Sequence, residues 1–254
     1  MKLEEKIKNK FLLSKNLNLF KLIYYLIQRI RSKKKIKKSY SNNHVDLIAL
    51  EIFKRKKKGV YIDVGCNHPF NGNNTYKLYQ KGWEGINIDL DFSSIDSFNF
   101  HRPKDHNVQI GVSDKNGTQK MYYHHERSAI NTLEETRGHR AKEVKEIKIS
   151  KLDNIIENSK YHNKEIDFIS IDVEGYELNV LKGFNFKKYK PKALTIEYID
   201  PTMVKEEFHH QSLDNILSSD VYKFMKDNDY HLVQWLHSDL FFVSSDIFKG
   251  IDVS

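Results

Sequence analysis

Residues 59–69 read GVYIDVGCNHP. Val60 to Val64 form a short apolar run broken only by Asp63, and Gly65 closes it. Such a run, stopped by a turn residue, reads as a buried strand. On its C-terminal side, residues 73–82 (NNTYKLYQKG) read as a helix capped by Asn73 or Asn74 and stopped by Gly82. Residues 83–90 (WEGINIDL) give a second strand, 93–101 (SSIDSFNFH) a helix, and 107–114 (NVQIGVSD) a third strand.

The same alternation continues. Residues 118–125 (TQKMYYHH) are extended, and a looser polar region runs to about Lys142. Residues 146–157 pass from strand to helix. Residues 165–175 (EIDFISIDVEG) form an apolar strand ending in acids, followed by a helix over 176–184. A strand over 192–200, a helix over 213–229 and a terminal antiparallel pair (YHLVQWL, DLFFVSS) complete the chain. Apolar strands alternating with helices predict an α/β domain whose parallel sheet is covered on both faces. Trp83 and Trp235 are expected in its core.

Upstream lies a different kind of segment. Residues 1–40 carry thirteen Lys or Arg against two Glu, a net +11. The whole chain is +8, so the other 214 residues net −3. Phe11, Leu12, Leu19, Phe20, Ile23, Tyr24, Ile27 and Ile30 recur at near-helical spacing over 1–38, and the run Lys33–Lys38 is almost wholly basic. An interfacial helix at an anionic membrane surface has this pattern. A helix packed on its own domain, or docked on a partner, fits it as well. Residues 1–40 are therefore divided from a domain over 41–254, with a polar break and a short helix (HVDLIALEIFKRKK) at the junction.

The composition excludes several classes. Apolar residues at 39% suffice for a core. A single cysteine, Cys66, excludes an internal disulfide framework and a cysteine-rich zinc site, and suits a reducing cytoplasm. Glu4 and Glu5 interrupt the basic start, so no secretory leader is expected. No apolar stretch reaches the roughly 20 residues of a membrane span. The adjacent histidine pairs lack the i, i+4 spacing of a helical zinc site, and no metal is expected.

In open α/β sheets, ligands bind beyond the carboxyl ends of the strands. Here those ends carry Asp63, Asp89 with Asp91, Asp114, Asp172 with Glu174, and Glu197. Gly65 would allow close backbone approach at the first turn. Asp89, 24 residues after Gly65, is placed to bond the hydroxyls of a ribose. The first turn, GCNHPF, has one glycine and no pyrophosphate cradle, which argues against NAD; a Walker A motif is also absent. Acids at several strand ends suit a cationic sulfonium cofactor.

These pieces, in this order, resemble the FkbM-type methyltransferases that use S-adenosylmethionine. GVYIDVGCNHP with NNTYKLYQKGWEGINIDLD resembles the family's first two strands, GVSDKNG its third strand end, and IDFISIDVEGYELNVLKGF its most distinctive stretch. Ser41–Asp46 resembles its lead-in, with Asn42 and Val45 where the family has Gln and Glu. The likeness covers about residues 41–245. It implies a Rossmann-like seven-stranded methyltransferase sheet, mostly parallel with a C-terminal antiparallel hairpin, here carrying an N-terminal helical arm. It implies methyl transfer to a hydroxyl, commonly on a sugar of a bacterial surface polysaccharide or on a polyketide.

Carried over, Asp63, Gly65, Asn67, Asn74 and Thr75 would line the methionine end, with Asp46 of the lead-in also on the cofactor side. Asp89 would hold the ribose, and Ser113 and Asp114 would lie near the adenine. Cys66 stands where alanine is usual and reads as a small turn residue. Asp172, Glu174 and Glu197 are the candidate bases, with His125 as an outside candidate. Each acid has a plain alternative: a helix cap for Asp172, a lysine pair for Glu174, a strand-end ion pair for Glu197. Tyr122–His125 and Asn131–Thr132 read as a lid, or else as a surface hairpin. A nucleic-acid methyltransferase fits less well, because no Pro-Pro-aromatic or Pro-Cys motif is present and the domain is acidic. A non-catalytic S-adenosylmethionine-binding module stays open as the alternative, and no nucleic-acid partner is expected.

Overall fold

The computed structural model describes residues 18–34, 38–124, 131–135, 141–199 and 212–250. Its centre is a seven-stranded sheet. The strands are β1 (Val60–Val64), β2 (Glu84–Asp89), β3 (His106–Gln109), β7 (Phe168–Ile171), β8 (Ala193–Glu197), β9 (Tyr230–Leu236) and β10 (Asp239–Ser244), in the spatial order β3-β2-β1-β7-β8-β10-β9. The first five in that order are mutually parallel, and β10 runs antiparallel to both β8 and β9. The mostly parallel sheet with its C-terminal hairpin is as the sequence predicts.

Alternation along the strands builds two cores. From β1, Ile62 and Val64 join Ile86, Ile88, Ile169 and Leu194 on one face, while Tyr61 joins Phe168, Phe241 and Trp83 on the other. Residues two apart share a face, so each buried strand feeds both layers. The second face is covered by α2 (Val45–Ile52) and α3 (Tyr76–Gln80), which supply Val45, Ala49 and Leu78. Trp83 is buried as expected; Trp235 is only partly so.

The third strand differs from the sequence reading. The stretch 107–114 splits after Gln109: β3 stays in the main sheet, while β4 (Gly111–Val112) pairs with β6 (Glu143–Ser150). With β5 (Gly117–Tyr123) these form a separate sheet, β4-β6-β5, beside the carboxyl rim. A two-residue strand carries too short a pattern to reveal a change of sheet.

Helix α1 (Leu19–Lys34) is the described part of the arm. It lies against α4 (Phe92–His101), whose N-cap Asp91 accepts from the Ser93 amide at 2.7 Å. No helix among the described residues is long and apolar enough to cross a membrane.

Candidate functional site

The chain runs outward from β1 through β2 to β3 on one side, then crosses back to add β7 and β8 on the other. This is the switch point, where a crevice opens beyond the strand ends. Gly65 and Asp172 meet there. Gly65 has φ +79°, and a Cβ on it would lie 1.7 Å from the carbonyl oxygen of Asp172. The glycine is therefore demanded by the chain's own backbone as well as by any ligand.

A cleft with about 700 Å³ of empty space opens at this point. One part is apolar, formed by Ile88, Leu90, Ile110, Val112, Leu133 and Tyr176; another is acidic, with Asp89, Asp172 and Glu174. Gly65 and Asn67 complete the floor, and Asn131 joins the wall. Asp89 accepts from the amides of Asn67 and Asp91, each at 2.8 Å. Burial raises its carboxyl to about 6 against the pull of those amides. Each carboxylate oxygen keeps a second lone pair for a ligand hydroxyl.

The acids beyond β7 and β8 are arranged differently. Carboxylate oxygens of Asp172, Glu174 and Glu197 lie within 4.8 Å of one another. Surrounding protein first, then the negative charges of Glu174 and Asp239, raise Asp172 to about 8, although its side chain still reaches water in the cleft. Burial, then the charge of Asp172, raises Glu197 further, to about 10. The two carboxyls hydrogen-bond each other. The pair therefore retains its protons near neutrality and becomes singly protonated only as pH rises past about 8. Asp239, opposite Glu197 on β10, takes a bond from Asn43 at 2.8 Å. The charges acting most strongly on Asp172 and Glu197 are all acidic. The trio's spacing would also admit a divalent cation.

The turn holding these acids is clamped by Glu177, a residue the sequence reading left without a role. Its buried carboxylate accepts from the amides of Val173 at 3.1 Å and Gly175 at 3.0 Å. Glu174, between them, takes the left-handed conformation with φ 58°, which is uncommon for its type. The acid three residues after Glu174 was the available signal. Thr132 ties the second sheet to the same turn by donating to the Glu174 carbonyl at 2.9 Å. Tyr122 bridges Thr132, and the segment expected as a lid contributes Asn131 to the cleft wall, with Leu133 just beyond it. His125 lies outside the described residues.

Several expected cofactor residues stand behind the cleft. Asp63 is buried and accepts from Asn73 at 2.9 Å and Thr75 at 2.8 Å. Arg102, wholly buried, donates to Thr75 at 2.8 Å, Asn73 at 2.7 Å and the Pro69 carbonyl at 2.6 Å. Asp63 and Thr75 thus spend their polar atoms on an internal network and do not line the cleft. Asn74 links Ser41 and Ser170, at 2.6 and 3.0 Å. Asp46 is buried and holds Ser39 and the Tyr40 amide. Ser113 is buried against Tyr176 and Asp114, while its neighbours Gly111 and Val112 face the cleft. Cys66 is buried beside Ile95 and Phe98, and burial pushes its thiol up, so it is an inert turn residue. Asp172 caps no helix here, because Glu177 satisfies the turn amides; Glu197 pairs with an acid in place of a cation.

The donor set fits a nucleoside with a cationic tail: an apolar slot for a flat ring, Asp89 for hydroxyls, and acids for positive charge. A family model described as the methyltransferase FkbM domain matches residues 63–232. A search of curated proteins found no match. Two solved structures are similar at 13% identity and a TM-score of 0.40, each covering 80% of this chain. One is described as monomeric WbdD, the other as a low-resolution structure of WbdD with its C-terminal bundle ordered. This chain spans 41% and 35% of their lengths.

Proposed function

Since the chain belongs to the FkbM methyltransferase family, we propose that it is an S-adenosylmethionine-dependent O-methyltransferase acting on a sugar hydroxyl of a bacterial surface polysaccharide or glycolipid. The observation that carries this proposal is the trio Asp172, Glu174 and Glu197, gathered within 4.8 Å at the switch point beside an apolar cleft lined by Asp89. S-adenosylmethionine, when bound, supplies an electrophilic methyl group and a good leaving group.

The chain's own residues then have separable tasks. Asp89 accepts ribose hydroxyls, and Leu90, Ile110, Val112 and Leu133 flank the base. Asp172 faces the cleft and, in its ionised form, takes the proton of the acceptor hydroxyl, which makes that oxygen a competent nucleophile. Glu197 holds Asp172 by hydrogen bond and is a positioning residue. Glu174 presents a second carboxylate from the same turn. A polyhydroxylated acceptor suits this rim, because ionised carboxylates only accept hydrogen bonds and hydroxyls donate them. A polyanion does not suit it, which disfavours nucleic acid. A reducing cytoplasm is the proposed place of work.

Titration calorimetry with S-adenosylmethionine and with NADH tests the cofactor: binding of the first alone is expected, and binding of NADH alone refutes the assignment. Labelled-methyl transfer onto a fractionated cell extract, with mass analysis of the product, tests the acceptor. Label on a glycan oxygen is expected; label on nitrogen or nucleic acid overturns the O-methyl reading. A non-catalytic module would bind the cofactor and transfer nothing to any fraction.

A further inference from the structure

Helix α1 is amphipathic, and it is docked the opposite way from an ordinary surface helix. The side against the domain is polar. Lys21, only 1% exposed, pairs with Asp96 on α4. Tyr25, 4% exposed, donates to the same carboxylate at 2.7 Å and packs on Phe100. Gln28 contacts His101 at 3.4 Å and His68 at 3.5 Å, beside the cleft residue Asn67.

The outward side is apolar. Leu19 is 73% exposed, Ile23 47% and Ile30 54%, and Leu26 and Ile27 lie exposed between them. At about 100° per residue, the centres of the two sets fall about 180° apart on the helix. A helix stabilised only by its own domain turns its apolar stripe inward. Exposed Arg29 and Arg31 lie about 100° to either side of the stripe's centre. That is the level at which long cationic side chains meet lipid headgroups.

We propose that this stripe docks on an anionic lipid surface while Lys21, Tyr25 and Gln28 keep the helix clamped to α4. Charge chooses the occupant. The stripe belongs to a segment of net +11 that ends in the run Lys33–Lys38. Apposing two copies of this face would bring like charges together, whereas an anionic surface neutralises them. The inference stands on the arm alone, independent of the methyl-transfer chemistry. Docking would hold the cleft near the membrane surface, through the contact of Gln28 with His68.

The test uses the full chain and sedimentation with vesicles of equal phosphatidylglycerol and phosphatidylcholine, or of phosphatidylcholine alone. Binding to the anionic vesicles is expected, and it should weaken in high salt. The double variant Ile23→Glu, Ile27→Glu should lose at least tenfold in partitioning, with circular dichroism and S-adenosylmethionine affinity unchanged. Arg29→Gln with Arg31→Gln should reduce the preference for anionic over neutral vesicles by threefold or more. No binding by the full chain, or equal binding by the Glu variant, overturns the proposal. So does a dimer, seen by light scattering, that the Glu substitutions dissociate: it would assign the stripe to a second copy.

Discussion

Two groups of acids, one reaching β1 and the other the end of β7 beside it, answer the same problem differently. Asp63 and Asp105 lie around Arg102, whose guanidinium also stands against the rings of Tyr61, Tyr76, Tyr79 and Phe98. Asp172 and Glu197 lie around each other. Burial raises all four carboxyls, but a cation opposes it only in the first group. Buried charge with a partner holds structure together; buried like charge opposes folding unless a proton is retained. The first arrangement belongs to the frame. The second is poised to exchange a proton and is, on the proposed function, the reacting centre.

The largest expected effect breaks the first group. Arg102→Leu should lower stability by about 3–5 kcal/mol, since it leaves buried acids without their cation. Urea unfolding at neutral pH measures this; a loss below about 1 kcal/mol would mean the acids do not depend on it. Next comes Asp172→Asn. It should reduce methyl transfer about 10²–10⁴-fold, the usual contribution of a positioned base, with cofactor affinity kept. Full activity would move the base to Glu174.

A smaller effect separates the groups by pH. The carboxyl of Glu197 is raised in the fold to about 10. Its protonated form therefore contributes stability that is complete below the unfolded carboxylate range and is lost as pH rises toward that value. Glu197→Gln removes the like charge and should become more stable than the parent as pH rises from about 5 to 9, by at least about 1 kcal/mol at the upper end. Glu197→Ala, by contrast, removes the hydrogen bond that holds Asp172 down and should move the alkaline rise of the rate to higher pH. Unchanged slopes in both profiles would dissolve the pair. The least effect is expected from EDTA: transfer should persist in excess chelator. Activity lost to EDTA and restored by a divalent ion would put a cation among Asp172, Glu174 and Glu197, and make the two acid groups alike after all.

The contrast was only half legible in the sequence. Strand ends announce themselves through apolar runs that stop at acids, so Asp89, Asp172, Glu174 and Glu197 could be named from pattern alone. What pattern does not carry is direction. Asp63 lies one residue short of its strand's end, where Asp89 closes its own, and its carboxylate joins Arg102 through Asn73 and Thr75. That arginine sits in the polar stretch His101–Asp105, and its partners Tyr61, Asn73 and Thr75 are 41, 29 and 27 residues away. The sheet brings them together, and no local spacing encodes it. The apolar cleft residues Leu90, Ile110 and Leu133 are missed for a related reason, since single apolar residues after strands look like any loop. Periodicity likewise revealed α1 as a helix without saying which of its faces turns inward.

The contact between Gly65 and the Asp172 carbonyl bears on how such an enzyme could be retargeted. Backbone against backbone, it sets the separation of the cofactor side from the proton-accepting side without help from any side chain. On the proposed function, changes at Asn131 can therefore reshape which acceptor enters without altering the reach between donor and base. Acceptor range is open to variation, while the reaction distance is inherited with the frame.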